Sequence, residues 1–308
     1  MSIRVRSPAS TANLGPGYDV LGLALDVGFD TVELELTREK GVTIEVDGID
    51  AHLIPTNPES NTAGLVASRI LDLYARDVGV EIRLTKGVPI GVGLGSSGAS
   101  AAATTLSLSH LLKLNLAKNR LVELAAMGEV ASAGEAHADN VSPSLLGGFT
   151  IVRSYRPLDV LSFPPPELTF SIAVPTELKK TTRDARAILP KTVDLRDMVQ
   201  NLGSLSLVVS GALLSNPELF GRGMLGDTVV EPARAPLYPG YRRVREAALE
   251  AGAEGVALSG AGPTMIAVVD PEKAEPRAVA TAMGEAFEDA GVHCQTHVTK
   301  PTSGASLC

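Results

Sequence analysis

The sequence predicts an α+β protein of two domains. Three observations carry that expectation. Stretches with period-two alternation read as half-buried strands. Ala- and Leu-rich stretches at helical spacing lie among them without a regular βαβ rhythm. A triple proline, Pro164-Pro165-Pro166, interrupts the middle of the chain. Proline continues neither a strand ladder nor a helix, so this is a connection. The boundary is placed near residue 158, giving domains 1–158 and 159–308.

The elements follow in order. Residues 2–7, TVELEL at 31–36 and VTIEVDG at 42–48 alternate apolar and polar side chains, as strands with one wet face do. Asn61 to Asp77 carries apolar residues at helical spacing, and EIRLTKG at 81–87 returns to a strand. Ser97 to Leu114 reads as a buried helix, and Asn119 to Ala138 as a second one, interrupted by Glu123 and Glu129. GGFTIVRSY at 147–155 is a turn and a strand. Past the prolines come a strand at 169–175, a long helix around 194–215 and a helix at 240–252. The chain closes as strand (255–269), helix (275–291) and strand (292–298).

Composition bounds the function. Only 4% of residues are aromatic and Trp is absent, so the core is built from Ala, Val, Leu and Ile. The formal charge of −8, from 27 Lys and Arg against 35 Asp and Glu, argues against nucleic-acid binding, which depends on cationic contacts to phosphates. A helix N-terminus can still hold an anion in an acidic protein. Cys294 and Cys308 lack metal-like spacing. The first residues, MSIRVRSPAS, lack a signal peptide's apolar core, and the greasiest helical stretch, Leu205 to Leu214, is too short to span a bilayer. A soluble, cytoplasmic protein with no membrane partner is expected.

The sharpest local feature runs from Pro89 to Ser100: Pro-Ile-Gly-Val-Gly-Leu-Gly-Ser-Ser-Gly-Ala-Ser. A strand leads in and a small-residue helix leads out. Gly91, Gly93 and Gly95 remove Cβ atoms, so the backbone can bend towards a ligand. The amides after Gly95 open a helix, which favours an anion, and Ser96 and Ser97 add hydroxyls for phosphate or metal. No Gly-Lys-Ser/Thr follows, so this is not a Walker A loop, and its spacing is not that of a dinucleotide fingerprint.

The loop resembles the phosphate-binding motif of the GHMP kinase superfamily, Pro-x-x-x-Gly-Leu-Gly-Ser-Ser and a small residue, at every position. Two further segments are similar to the superfamily's motifs and stand in its order. Pro8 to Asp19, taken alone a turn with polar hooks, resembles the first motif of homoserine kinases, with Tyr18 where that family usually has Phe. Gly255 to Thr264, taken alone a β-turn, resembles the third motif. The resemblance implies a ribosomal-protein-S5-like N-terminal domain and a ferredoxin-like α/β C-terminal domain, with the ligands in the cleft between them. It implies ATP and Mg²⁺ as cofactors and L-homoserine as substrate, phosphorylated on the way to threonine, and it allows a homodimer. The rivals are another GHMP kinase, acting on mevalonate, shikimate or a sugar, and an inactive ligand-sensing relative.

Site residues follow partly from chemistry and partly from the resemblance. Glu129 lies on a small, apolar helix face where an unpaired carboxylate is expensive. The resemblance makes it the metal ligand, with Ser97 as hydroxyl partner. In His137-Ala138-Asp139-Asn140 the resemblance places Asp139 in the site, either as a base or as a substrate contact, and His137 reads as a structural hydrogen-bonding residue. Arg suits a carboxylate because of its planar fork. On their own Arg186 and Arg234 read as surface charges; the resemblance brings both to the substrate carboxylate, with Arg186 counted among the catalytic groups. It gives Asp19 the substrate ammonium, Asn13 the hydroxyl or phosphate, and makes Thr182 and Gly260 neighbours. On the nucleotide side it implies Asn61, Lys86 and the loop residues Pro89, Gly91, Gly93, Leu94, Gly95, Ser96, Ser97, Gly98, Ala99 and Ser100.

Overall fold

The alternating N-terminal segments belong to two long strands, β1 (Ser2–Asn13) and β2 (Gly17–Thr37), paired antiparallel. The computed structural model describes residues 2–130, 137–177 and 182–308. From Ser7 onward β1 is buried throughout, which small residues such as Ala9, Ser10 and Ala12 permit. The first motif is therefore strand up to Asn13, and only residues 14–16 turn. Asn13, Leu14 and Gly15 all have positive φ, at 71°, 52° and 80°. Two consecutive non-glycine residues in that region are strained, and such strain gathers at functional sites.

β2 bends between partners. Residues 31–37 pair with β4 (Gly79–Lys86), and residues 21–23 pair with β5 (Phe149–Tyr155). β3 (Gly41–Gly48) lies parallel to β4, joined to it through helix α1 (Thr62–Tyr74). β5 forms a hairpin with β6 (Leu158–Phe163), so residue 158, the expected boundary, opens a strand of the first sheet. The chain leaves this sheet at Pro164–Pro166. Its last residues return to it as β11 (Ser306–Leu307), beside β1.

Helices α2 (Ser96–Leu111), α3 (Lys118–Ala126) and α4 (Val141–Leu146) pack with α1 around Val32, Leu34, Ile82 and Leu108. The helix expected over 119–138 breaks after Ala126 with a turn at Met127–Gly128 and is helical again at Glu129–Val130. Gly128 sits so close to α1 that a Cβ there would stand 2.7 Å from Val66 Cγ2. Residues 131–136, with Glu135 expected to be solvated, fall outside the described residues.

The second sheet is antiparallel, in the order β10 (Cys294–Thr299), β7 (Thr169–Pro175), β9 (Met265–Val269), β8 (Gly255–Leu258). Before it turns into β8 the chain forms α5 (Thr182–Ala187), α6 (Leu195–Leu214), α7 (Pro217–Met224), α8 (Val230–Arg234) and α9 (Tyr241–Glu250). α10 (Pro276–Glu288) and α9 share a core with Val256, Met265 and Ala267. On the other side Phe220 of α7 and Val208 of α6 join Phe170 and Ile172 in a cluster that also holds Leu21, Leu23 and Phe149 of the first sheet. That shared cluster fixes the two sheets against each other. α6, at 20 residues, is longer than the apolar stretch read from the sequence, and by length and composition it is long and apolar enough to cross a membrane. Ser204, Val208, Gly211 and Ala212 seat one of its faces in the core.

Candidate active site

The three glycine-containing motifs interlock where the sheets meet. Ser10 N–H donates to Leu94 O (3.1 Å), Gly260 N–H to Ala12 O (3.1 Å) and Thr264 N–H to Val92 O (3.1 Å). Ser259 Oγ bonds Thr11 Oγ1 (2.9 Å) and Gly93 O (2.7 Å). A Cβ on Gly93 would lie 2.2 Å from Ser259 O, and one on Gly95 would lie 2.0 Å from Ser10 Oγ. Both glycines also hold positive φ, so no other residue fits either place. Around this junction opens a cleft of about 530 Å³.

At one end the loop feeds α2. Gly95 caps the helix with φ 65°, and the first intrahelical bond runs from Ala99 N–H to Gly95 O (2.9 Å). The amides of Ser96, Ser97 and Gly98 precede it and stay at the helix's open end, a place suited to an anion. Pro89, Gly91, Gly93, Leu94, Gly95, Ser96, Ser97 and Ser100 line the cleft. Gly98 and Ala99, expected with them, do not. A Cβ on Gly98 would stand 3.2 Å from the Asn140 backbone, and Ala99 is fully buried in the shared core, so both serve packing.

The hydroxyls divide in the same way. Ser96 Oγ donates to Val88 O (2.7 Å) and Ser100 Oγ to Asp30 Oδ2 (2.7 Å). Ser97, half-buried, hydrogen-bonds Glu129. Glu129 is 7% exposed, and burial pushes its carboxyl up to about 7 against that hydrogen bond. One carboxylate and one hydroxyl beside a phosphate-type loop are a suitable donor set for a hard cation that keeps most of its waters. A divalent cation there would restore the charged form that burial disfavours. Among the described residues no group of three or more His, Cys, Asp or Glu forms a self-sufficient metal site.

Lys86 and Asn61 line the cleft, but their polar atoms are engaged within the protein. Lys86 Nζ donates to Asp30 Oδ2, Ser96 O (3.0 Å) and Ser100 Oγ (2.9 Å), which uses all three of its donors. It ties β2 to the start of α2. Asn61 caps α1, accepting from Ala63 N–H (2.8 Å) and Gly64 N–H (3.3 Å) while donating to Pro55 O (2.8 Å). Lys86 thereby shapes the cleft wall instead of presenting a free ammonium, while Asn61 fixes the start of α1 beside the cleft.

The other end collects charges from distant parts of the chain. Asn13 Nδ2 donates to Gly260 O (2.7 Å), and its Oδ1 accepts from Asp19 N–H (3.2 Å). Asp19 forms a two-pronged ion pair with Arg186, Nη1 to Oδ2 at 2.9 Å and Nη2 to Oδ1 at 2.5 Å. Arg186 Nη2 also lies 3.3 Å from His137 Nδ1. The resemblance had given Asp19 and Arg186 opposite ends of a substrate; here they hold each other. Arg234, 2% exposed, donates through Nε to Ala185 O (3.1 Å) and through Nη1 to Gly260 O (3.1 Å). No carboxylate stands within ion-pair distance of Arg234 among the described residues. Asp139 is 4% exposed, and burial, with the Asp19 charge, raises its carboxyl. Thr182, at the start of α5, completes the wall.

Two residues that the sequence reading did not place in the site have roles here. Asp30 anchors Lys86, Ser100 and the amides of Gly87 and Val88 (3.1 Å each). Its only signal was an acid amid apolar strand residues. Tyr18 carried only its departure from the usual Phe; its ring lies beside both arginines.

Comparison with known proteins bears on the family and the fold. Residues 61–148 match the family model "GHMP kinases N terminal domain", and residues 208–289 match "GHMP kinases C terminal". A homoserine kinase of Haloquadratum walsbyi is 45% identical over 98% of this chain and 99% of its own. One from Methanococcus maripaludis is 44% identical over 86% of this chain and 87% of its own. The crystal structure of homoserine kinase from Cytophaga hutchinsonii superposes with a TM-score of 0.91 at 39% identity, covering 100% of this chain and 97% of that one. Mevalonate kinase of L. major, at 14% identity and a TM-score of 0.72, over 97% of this chain and 96% of its own, shares the fold.

Proposed function

Because this chain belongs to the GHMP kinases, and among them to the homoserine kinase family, we propose that it transfers the γ-phosphoryl group of ATP to the side-chain hydroxyl of L-homoserine. The observation that carries the substrate assignment is Arg234. A guanidinium that is 2% exposed, on the wall of a cleft and without a carboxylate partner among the described residues, calls for an anionic ligand. Arg186 and Asp19 beside it offer a second cation and an anion. An amino acid supplies both matching charges; a sugar supplies neither.

Each residue's work follows from its position. The open amides of α2 receive phosphate oxygens. Glu129 and Ser97 would hold Mg²⁺ with the nucleotide, and the ion would supply charge neutralisation at the transferring phosphoryl group. The two guanidiniums take the substrate carboxylate, Asp19 its ammonium, and Asp139 accepts a hydrogen bond from the reacting hydroxyl. Asn13 and Gly260 keep these groups in register. Phosphoryl transfer gains mostly from such alignment and from charge stabilisation.

The test is ADP release from ATP with homoserine, mevalonate, shikimate and galactose, with and without Mg²⁺. Homoserine should be turned over far faster than the others, and only with the metal. Faster turnover of mevalonate or shikimate would overturn the assignment.

A further inference from the structure

Arg186 and Arg234 approach one aromatic ring. The Arg186 Cζ is 5.1 Å and the Arg234 Cζ 5.2 Å from the centroid of Tyr18, both within cation–π reach. The Tyr18 hydroxyl also accepts a hydrogen bond from Arg186 Nη1. Tyr18 is the residue before Asp19, and Asp19 accepts from both Nη1 and Nη2 of Arg186, sharing the first with the Tyr18 hydroxyl. Arg234 comes from α8, more than forty residues further along the chain than Arg186, and among the described residues two carbonyls bond it. Two guanidiniums this close repel each other, and Asp19 directly compensates just one of them.

On the functional reading above, we propose that Tyr18 is a positioning residue that holds Arg186 and Arg234 together as one receptor for the substrate carboxylate. Its electron-rich ring face offsets the repulsion between the two cations. Its hydroxyl fixes the Arg186 fork, so that this guanidinium meets the ligand without a search. The ring does most of the work, because it serves both cations, whereas the hydroxyl serves one. The inference needs no contact between Tyr18 and the reacting atoms.

The experiment removes the ring and, separately, the carboxylate. Wild type, Tyr18→Leu and Tyr18→Phe are compared on L-homoserine and on 3-aminopropan-1-ol, which is homoserine without its carboxylate. Both steady-state turnover and calorimetric binding are measured. Tyr18→Leu should raise the KM and Kd for homoserine about tenfold, as loss of two ordinary cation–π contacts implies. It should leave KM for ATP within about twofold and the weak binding of aminopropanol nearly unchanged. The preference for the carboxylate should therefore shrink about tenfold. Tyr18→Phe, which keeps the ring, should stay within about threefold of wild type. A general collapse of the site would lower both ligands together and spare the preference, and that result overturns the proposal. Equal defects in Tyr18→Phe and Tyr18→Leu also overturn it, because the hydroxyl would then be the whole effect. If Tyr18→Leu does not fold, Tyr18→Phe decides alone: a loss beyond about threefold overturns the proposal. A wild-type enzyme that turns over homoserine while Tyr18→Leu keeps the full preference sinks Tyr18 and spares the functional reading. A wild-type enzyme with no preference for homoserine over aminopropanol sinks both.

Discussion

Strand β2 carries two aspartates paired with cations, and the pairs differ in what surrounds them. Asp30 is fully buried and accepts from Lys86 Nζ, Ser100 Oγ and two backbone amides; Lys86 spends every donor inside the protein. Asp19 and Arg186 keep side-chain exposures of 24% and 22% and face the cleft. The Nε of Arg186 has no hydrogen-bond partner among the described residues. The first pair is closed: its charges are matched by protein atoms, and it locks the loop-bearing helix to the sheet. The second stays partly exposed to the cleft, beside a further guanidinium that has no carboxylate partner among the described residues. Exposure to the cleft, more than the presence of charge, separates a binding group from an architectural one.

The comparison is broken most severely at the closed pair. Lys86→Met leaves the Asp30 carboxylate buried without its cation, and should cost about 3–5 kcal/mol of stability. The double variant Lys86→Met/Asp30→Asn should regain part of that, since Asn still accepts from the Gly87 and Val88 amides. Denaturant midpoints at constant slope measure both. A single variant as stable as wild type would show that the closed pair is not structural.

The open pair should respond in the opposite currency. Asp19→Asn should change stability by less than about 1 kcal/mol, as partly exposed pairs do. It should nevertheless raise the KM for homoserine about tenfold to a hundredfold, the worth of one charge-assisted contact. Arg234→Lys should do the same through loss of the planar fork, with KM for ATP nearly untouched in both. Combining Arg234→Lys with Arg186→Lys should fall short of additivity, because both hold one group. An unchanged homoserine KM removes the residue from the substrate site.

A buried carboxyl with no paired cation among the described residues sharpens the contrast at smaller scale. Glu231 accepts from Tyr241 Oη (2.7 Å) and Leu258 N–H (3.0 Å), and burial pushes it up to about 7 from an ordinary 4.5. Between those values the unfolded chain has released the proton while the folded protein keeps it. Stability therefore falls as pH rises through this window, by at most about 1.4 kcal/mol per unit from this group. Glu231→Gln should flatten that slope by its share between pH 5 and 6.5. An identical slope in both proteins would refute the raised value.

Legibility from sequence followed the range of the interactions. The Pro89–Ser100 loop was readable because positive φ and missing Cβ atoms are local needs that only glycine meets. Helix α6 was readable because burying one face imposes a period within one segment, and β7 because an apolar run of strand length is buried throughout. The single strand expected over 255–269 is instead two, β8 and β9, parted by the glycine-rich turn and paired antiparallel. The helix expected over 119–138 is broken at Met127–Gly128, where Gly128 packs closely on α1, a contact that no pattern within that segment records. The tail strand at 306–307 was invisible for a similar reason, since two residues carry no period. Lys86 and Asn61 were placed on the nucleotide side by likeness alone, and nothing nearby in the chain reveals the partners that occupy their polar atoms.

What the sequence determined by itself is the set of parts: two domains' worth of strands and helices, three glycine-containing turns in a fixed order, and the charges available to a site. Tertiary structure decided which charges are closed and which are open. Asp30 and Asp19 are the same residue type on the same strand, and their separate fates depend on Lys86, Ser100 and Arg186, which stand 56, 70 and 167 positions away. Tyr18 became a shared face for two cations only when α5 and α8 brought Arg186 and Arg234 to it. The physical reason is that burial and pairing are properties of neighbours in space, and a residue's chemistry is settled by how completely those neighbours satisfy it.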